Sequence, residues 1–206
     1  MEIIKTPIDG LIIIKPNVFN DERGSFYESW NKKVFDKAIN SKVNFVQDNH
    51  SSSSKGVLRG LHYQINPSPQ GKLVRCIFGE IFDVAVDLRK NSKTFGNWVG
   101  VNLSAENMKQ LWLPEGFAHG FLTISDYAEV LYKTTDFWEK DCEKSIKWND
   151  ETLSINWPLE KIKLEFPLLS KKDKESQTFK ESFKIFLNGG VMAAVAFSPY
   201  NNLTAE

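Results

Sequence analysis

Residues 80–88 limit most what this chain can fold into. Phe82, Val84, Val86 and Leu88 fall on one face, and Ile81, Asp83, Ala85 and Asp87 on the other. Apolar residues recurring at every second position are the signature of a β-strand. Residues 11–14, 24–30, 71–78, 95–103, 109–113, 119–124 and 128–134 carry similar short apolar or alternating runs. In residues 24–30 the shared face holds Phe26, Glu28 and Trp30. Turn residues punctuate these runs about every 8–12 positions, the spacing of an all-β sandwich or barrel. Gly79-Glu80, between two of the runs, reads as the turn of a hairpin. Helices are few. Val34, Phe35, Ala38 and Ile39 recur at helical spacing behind Asn31, a suitable N-cap. Phe179, Phe183, Phe186 and Leu187 mark a second helix over residues 175–187, stopped by Gly189.

Length and composition limit the class. A chain of 206 residues with 41% hydrophobic residues is expected to form one domain around a substantial core. Twenty-six basic residues balance 26 acidic ones, which argues against a nucleic-acid or anionic-membrane partner. Two cysteines, Cys76 and Cys142, make no disulfide framework, and Cys76 reads as a small core residue. The start, Met1-Glu2-Ile3-Ile4-Lys5, has no secretory signature, and the apolar runs fall far short of the ~20 residues that span a bilayer. A cytoplasmic protein is the expectation. The uncharged run 191–197 follows Asn188-Gly189-Gly190 and has no assigned role.

The chemistry concentrates in Gly56-Val-Leu-Arg59-Gly60-Leu-His62-Tyr-Gln64. This stretch holds one of three histidines and one of four arginines in a chain that otherwise uses lysine for positive charge. Histidine exchanges protons near neutral pH, and arginine presents a rigid fork to phosphate or carboxylate. In an unbroken strand Arg59 and His62 would face opposite ways, so a shared pocket requires an irregularity, which Gly60 is suited to supply. Lys72 opens a strand, and Tyr132 lies within another. Together His62, Lys72, Tyr132 and Arg59 suit removal of a proton next to a carbonyl. An ammonium stabilises the developing enolate, an imidazole takes the proton, and a phenol returns one to the opposite face. A metal site would call for His-x-His, but the place reads His62-Tyr63-Gln64; His50 and His119 are the other histidines. Either could instead be a histidine hydrogen-bonded within the sheet. Asp173, in a lysine-rich segment, reads from spacing alone as a surface charge.

The ordered set of motifs resembles the dTDP-4-dehydrorhamnose 3,5-epimerase family of the cupin superfamily over roughly residues 1–175. It comprises Asp21-Glu-Arg23-Gly24-Ser-Phe26-x-Glu28, Gln47-Asp-Asn49, the His62 segment, Gly71-Lys72-Leu-Val and Asp83-Val-Ala-Val-Asp-Leu-Arg89. Pro114-Glu-Gly-Phe-Ala-His119-Gly-Phe121, Trp148-Asn-Asp150 and Leu169-Ser-Lys-Lys-Asp173 complete it. The resemblance implies a cupin-type jelly-roll β-sandwich with a few short peripheral helices, working without metal or cofactor. His62 then resembles the general base, Asp173 the carboxylate that orients it, Lys72 the enolate stabiliser and Tyr132 the acid. His119 lines the sugar pocket. Arg23, Phe26, Glu28, Gln47, Asn49, Arg59, Glu143 and Lys172 match positions that bind the nucleotide sugar. The implied substrate is a dTDP-linked 4-keto-6-deoxy sugar inverted at C3 and C5. The implied assembly is a homodimer whose N-terminal strand crosses over, so that Arg23 and Phe26 serve the neighbouring site. A C3-only epimerase or a ketoisomerase on a related nucleotide sugar shares most of these residues. A metal-dependent cupin and a non-catalytic sugar-binding jelly roll are the readings from other classes. The expected catalytic domain is 1–187, and 188–206 is an extension that matches nothing in the family.

Overall fold

The structure, a computed structural model, describes residues 1–183. Its strands are β1 (Glu2–Lys5), β2 (Ile12–Lys15), β3 (Phe19–Asp21) and β4 (Gly24–Phe26), followed by helix α1 (Lys32–Ile39). Then come β5 (Gln47–Ser54), β6 (Leu58–Gln64), β7 (Lys72–Phe78), β8 (Glu80–Asp87) and β9 (Trp98–Ser104). β10 (Gln110–Leu113), β11 (Phe117–Thr123), β12 (Tyr127–Thr134) and β13 (Glu143–Ser145) precede the short helices α2 (Lys171–Lys174) and α3 (Phe179–Ser182). One sheet has the order β1-β2-β10-β7-β12-β5, and a second has the order β13-β6-β11-β8-β9. The two pack face to face as a jelly-roll sandwich, and every strand pair is antiparallel.

Alternation along the strands explains the three apolar layers. Ile13, Val74, Leu111 and Val130 of the first sheet meet Ile81, Ala85, Val101 and Phe121 of the second. The other faces are also covered. Val84, Val86, Ala118 and Leu122 lie under Ile146, Trp157, Ile162 and Phe179 from the C-terminal segment. Ile12, Ile14, Leu73 and Trp112 lie under Phe35 of α1. Asn31 caps α1 by accepting the Val34 N–H, as its sequence position predicts.

Three expectations need correction. Gly79 does sit in a left-handed turn, with φ +72°. It nevertheless makes a corner and not a hairpin, because β7 and β8 run into opposite sheets. The strand expected over residues 24–30 ends at Phe26 and belongs to a separate two-stranded hairpin, β3–β4, whose Phe19 and Phe26 are 65% and 70% exposed. The helix expected from Glu175 begins only at Phe179, as the short α3, and α2 ends before it at Lys174. Gln177 pairs with Ile146 in a parallel bridge, and Thr178 starts a new turn through a complete capping box with Glu181. Phe186 and Leu187, like the run 191–197, lie outside the described residues.

Candidate active site

Arg59 and His62 reach one cavity because β6 is irregular between them. Leu58 and Leu61 point to the outer apolar layer, so Arg59 and His62, three residues apart, both turn inward. Gly60 makes this possible at φ +124°, where a Cβ would sit 2.5 Å from the Cα of Gly120 on β11. The pairing between β6 and β11 shifts register at the same place and sets His62 directly opposite His119.

The cavity, about 450 Å³, lies between the sheets. His62 and His119 enter from the second sheet; Lys72 on β7 and Tyr132 on β12 enter from the first. Asp173 closes one side from α2, and Leu168 and Leu169 add apolar wall. His62 Nε2 lies 2.6 Å from Asp173 Oδ1. Asp173 is only 3% exposed, so it is no surface charge. Burial pushes its carboxyl up, but the hydrogen bond and charge of His62, the Ser170 hydroxyl and Lys172 outweigh that and hold it below the ordinary range. His119 Nε2 makes a second pair, 2.8 Å from Asp83 Oδ1, and both residues are buried.

Lys72 is 8% exposed, and burial lowers its ammonium pKa to about 8 against the opposing pull of Glu143 and Asp83. Its Nζ lies 3.5 Å from the His62 carbonyl. Burial raises the Tyr132 phenol above its usual value, with Arg59 opposing and Glu143 adding to it. The Arg59 guanidinium is held by Ser53 Oγ and the Ser52 carbonyl, both at 3.0 Å.

Gln47, Asn49, Glu143 and Lys172 lie outside the lining of this cavity. Gln47 donates to Asn49 Oδ1 at 2.9 Å and accepts the Trp138 N–H at 3.1 Å. Glu143 pairs with Lys172 at 2.6 Å. Burial alone would raise the Glu143 carboxyl; Lys172 and a hydrogen bond from Trp138 turn the shift downward. Arg23, Phe26 and Glu28 do not join the cavity of their own chain. The Arg23 side chain is 85% exposed and pairs with Asp21 at 2.5 Å. Glu28 accepts from Asn31 Nδ2 at 3.1 Å. His50 pairs with Glu129 at 3.3 Å and lines no part of the cavity.

The structure also brings in Asp83, Ser53 and Trp138. Only Asp83 had a usable signal, a carboxylate on the strand face it shares with Ile81 and Ala85. Among the described residues no three His, Cys, Asp or Glu side chains assemble as a metal-binding group. No helix among them is long and apolar enough to cross a membrane.

A jelly roll with a His–Asp pair, a buried lysine and a phenol converging inside it is a cupin equipped for proton transfer. The sequence profile of the dTDP-4-dehydrorhamnose 3,5-epimerases matches residues 5–181, and the chain belongs to that family. A dTDP-4-dehydrorhamnose 3,5-epimerase of Shigella flexneri is 60% identical over 179 residues, covering 87% of this chain and 96% of its own. A Legionella pneumophila 3,5-epimerase solved in complex with dTDP-4-keto-L-rhamnose superposes with a TM-score of 0.81 at 51% identity, covering 86% of this chain and 92% of its own. A Streptomyces bikiniensis 3'-monoepimerase in complex with dTDP-quinovose has a TM-score of 0.80 at 31% identity, covering 87% and 89%.

Proposed function

We propose that this protein inverts C3 and C5 of dTDP-4-dehydro-6-deoxy-D-glucose, yielding dTDP-4-dehydro-L-rhamnose. The observation that carries this reading is the placement of His62–Asp173 and Tyr132 on opposite walls of one cavity that also holds Lys72. Asp173 accepts the Nε2 proton of His62, which leaves Nδ1 as the basic nitrogen. Nδ1 takes the proton from C3, and the C–H electrons move into an enolate at O4. The Lys72 ammonium stabilises that oxygen in a site with little water. Tyr132 gives its hydroxyl proton to the opposite face of the carbon and recovers one from solvent, and His62 releases to solvent the proton it took, which restores the base. The same steps at C5 complete the double inversion, and no cofactor enters them.

Arg59, Gln47, Asn49, Glu143 and Lys172 hold the nucleotide diphosphate, and His119 lines the sugar subsite. In this reading the protein works as a homodimer in the cytoplasm. The β3–β4 hairpin crosses to the partner, where Arg23, Phe26 and Glu28 complete the nucleotide site; the exposure of Phe19 and Phe26 supports this. Residues 1–187 form the catalytic domain, and 188–206 are an appendage to it. The high identity to named 3,5-epimerases favours double over single inversion. Incubation with the 4-keto sugar in deuterated water tests the proposal. Proton NMR should show deuterium entering both C3 and C5. Exchange at C3 alone would indicate a monoepimerase, and exchange at neither would refute the activity.

A further inference from the structure

We propose that Ser170 is a positioning residue whose hydroxyl fixes which oxygen of Asp173 faces His62 and so keeps the imidazole proton on Nε2. This rests on the reading of His62 as the base. Ser170 Oγ accepts the Asp173 N–H at 3.1 Å, as an N-cap side chain does for the third residue of a helix. Its own proton is then directed to Asp173 Oδ2 at 2.8 Å. Oδ1 remains for His62 Nε2.

The neighbouring helix shows what this arrangement ordinarily does. At α3 the N-cap Thr178 and Glu181 have the same three-residue spacing. There Glu181 Oε2 accepts both the Thr178 N–H at 2.9 Å and its hydroxyl at 2.8 Å, closing a capping box on the helix itself. At α2 the carboxylate is one methylene shorter. It keeps the N-cap hydroxyl but spends its other oxygen on a histidine 111 residues away in sequence. A helix-capping pair has thus become a support for a proton-transfer group. The Ser170 hydroxyl is what pins Oδ2; without it, rotation about the Asp173 side chain would let either oxygen, or neither, meet Nε2. Ser170 lies at the exposed edge of the cavity, so the extra methyl of threonine has room there.

The test compares Ser170→Ala with Ser170→Thr, reading kcat and KM against pH together with 15N NMR of the histidine rings, the His62 signals being assigned by their loss in His62→Asn. Ser170→Ala should lower kcat about tenfold with KM little changed. Its pH profile should change, because the carboxylate no longer faces the imidazole in one fixed orientation. Its His62 signals should shift from the Nε2–H tautomer toward a mixture. Ser170→Thr should match the parent in all three. A variant that merely loses melting temperature, with tautomer and pH profile unmoved, would overturn the inference. Retained exchange in His62→Asn would instead defeat the underlying assignment of the base.

Discussion

Lysine 72 should weaken the fold it serves. Moving its pKa from 10.5 to about 8 corresponds to about 3 kcal/mol against the charged form. The folded state binds this proton less tightly than the unfolded chain, so the cost is fully present below about pH 8. It fades as pH rises from there toward 10.5, where both states lose the proton. Lys72→Met keeps the length and apolar stem of the side chain while removing the charge. At pH 7 the variant should be more stable by up to about 3 kcal/mol, worth roughly 6–12 °C in melting temperature for a chain of this size. Its advantage should shrink steadily above pH 8. The same change should lower kcat by about 10²–10³-fold, the usual cost of removing one oxyanion-stabilising group. Calorimetry of both proteins between pH 6 and 10 would read the stability gap, and steady-state rates the activity. A variant less stable than the parent at pH 7, or a gap that does not change with pH, would refute the reasoning that burial sets the Lys72 charge cost.

Gly60→Ala forces a Cβ to within 2.5 Å of the Gly120 backbone at a φ of +124°, so it should destabilise by at least about 3 kcal/mol in denaturant unfolding and scatter Arg59 from His62; a change under about 0.5 kcal/mol would contradict the close-packing account. Tyr132→Phe should leave deuterium exchange at C3 measurable while product formation falls by about 10²-fold or more; unchanged rate and stereochemistry would remove Tyr132 as the acid.

Much of the fold is legible because it depends on contrast between neighbouring residues. The two faces of β8 separate cleanly into Ile81 and Ala85 against Val84 and Val86, since each face meets a different apolar layer. Strand β5 shows no such contrast. Its inward residues are Gln47, Asn49, Ser51 and Ser53, polar because they face the site and its rim. The alternation is therefore polar against polar, and no apolar pattern marks the strand's extent. The turn at Gly79 is visible locally, but whether the next strand returns beside β7 or crosses to the other sheet depends on partners far along the chain. Asp173 is the sharpest case. Its neighbours are three lysines, and the partner that does most to make its burial favourable, His62, is distant in sequence and met only through the docking of α2. The irregularity between Arg59 and His62 is legible as a condition: if both reach one pocket the strand must break its alternation, and Gly60 is the residue suited to do so.

In the proposed mechanism one imidazole, that of His62, removes the protons from both carbons flanking the ketone. His62→Asn keeps the size and a hydrogen-bonding amide but has no base. Proton NMR of this variant with dTDP-4-dehydro-6-deoxy-D-glucose in deuterated water should show no exchange at C3 or C5 on the timescale in which the parent enzyme reaches equilibrium, with the fold intact by circular dichroism. Exchange at the parent rate at either carbon would mean that another group takes the proton, and the account would fail.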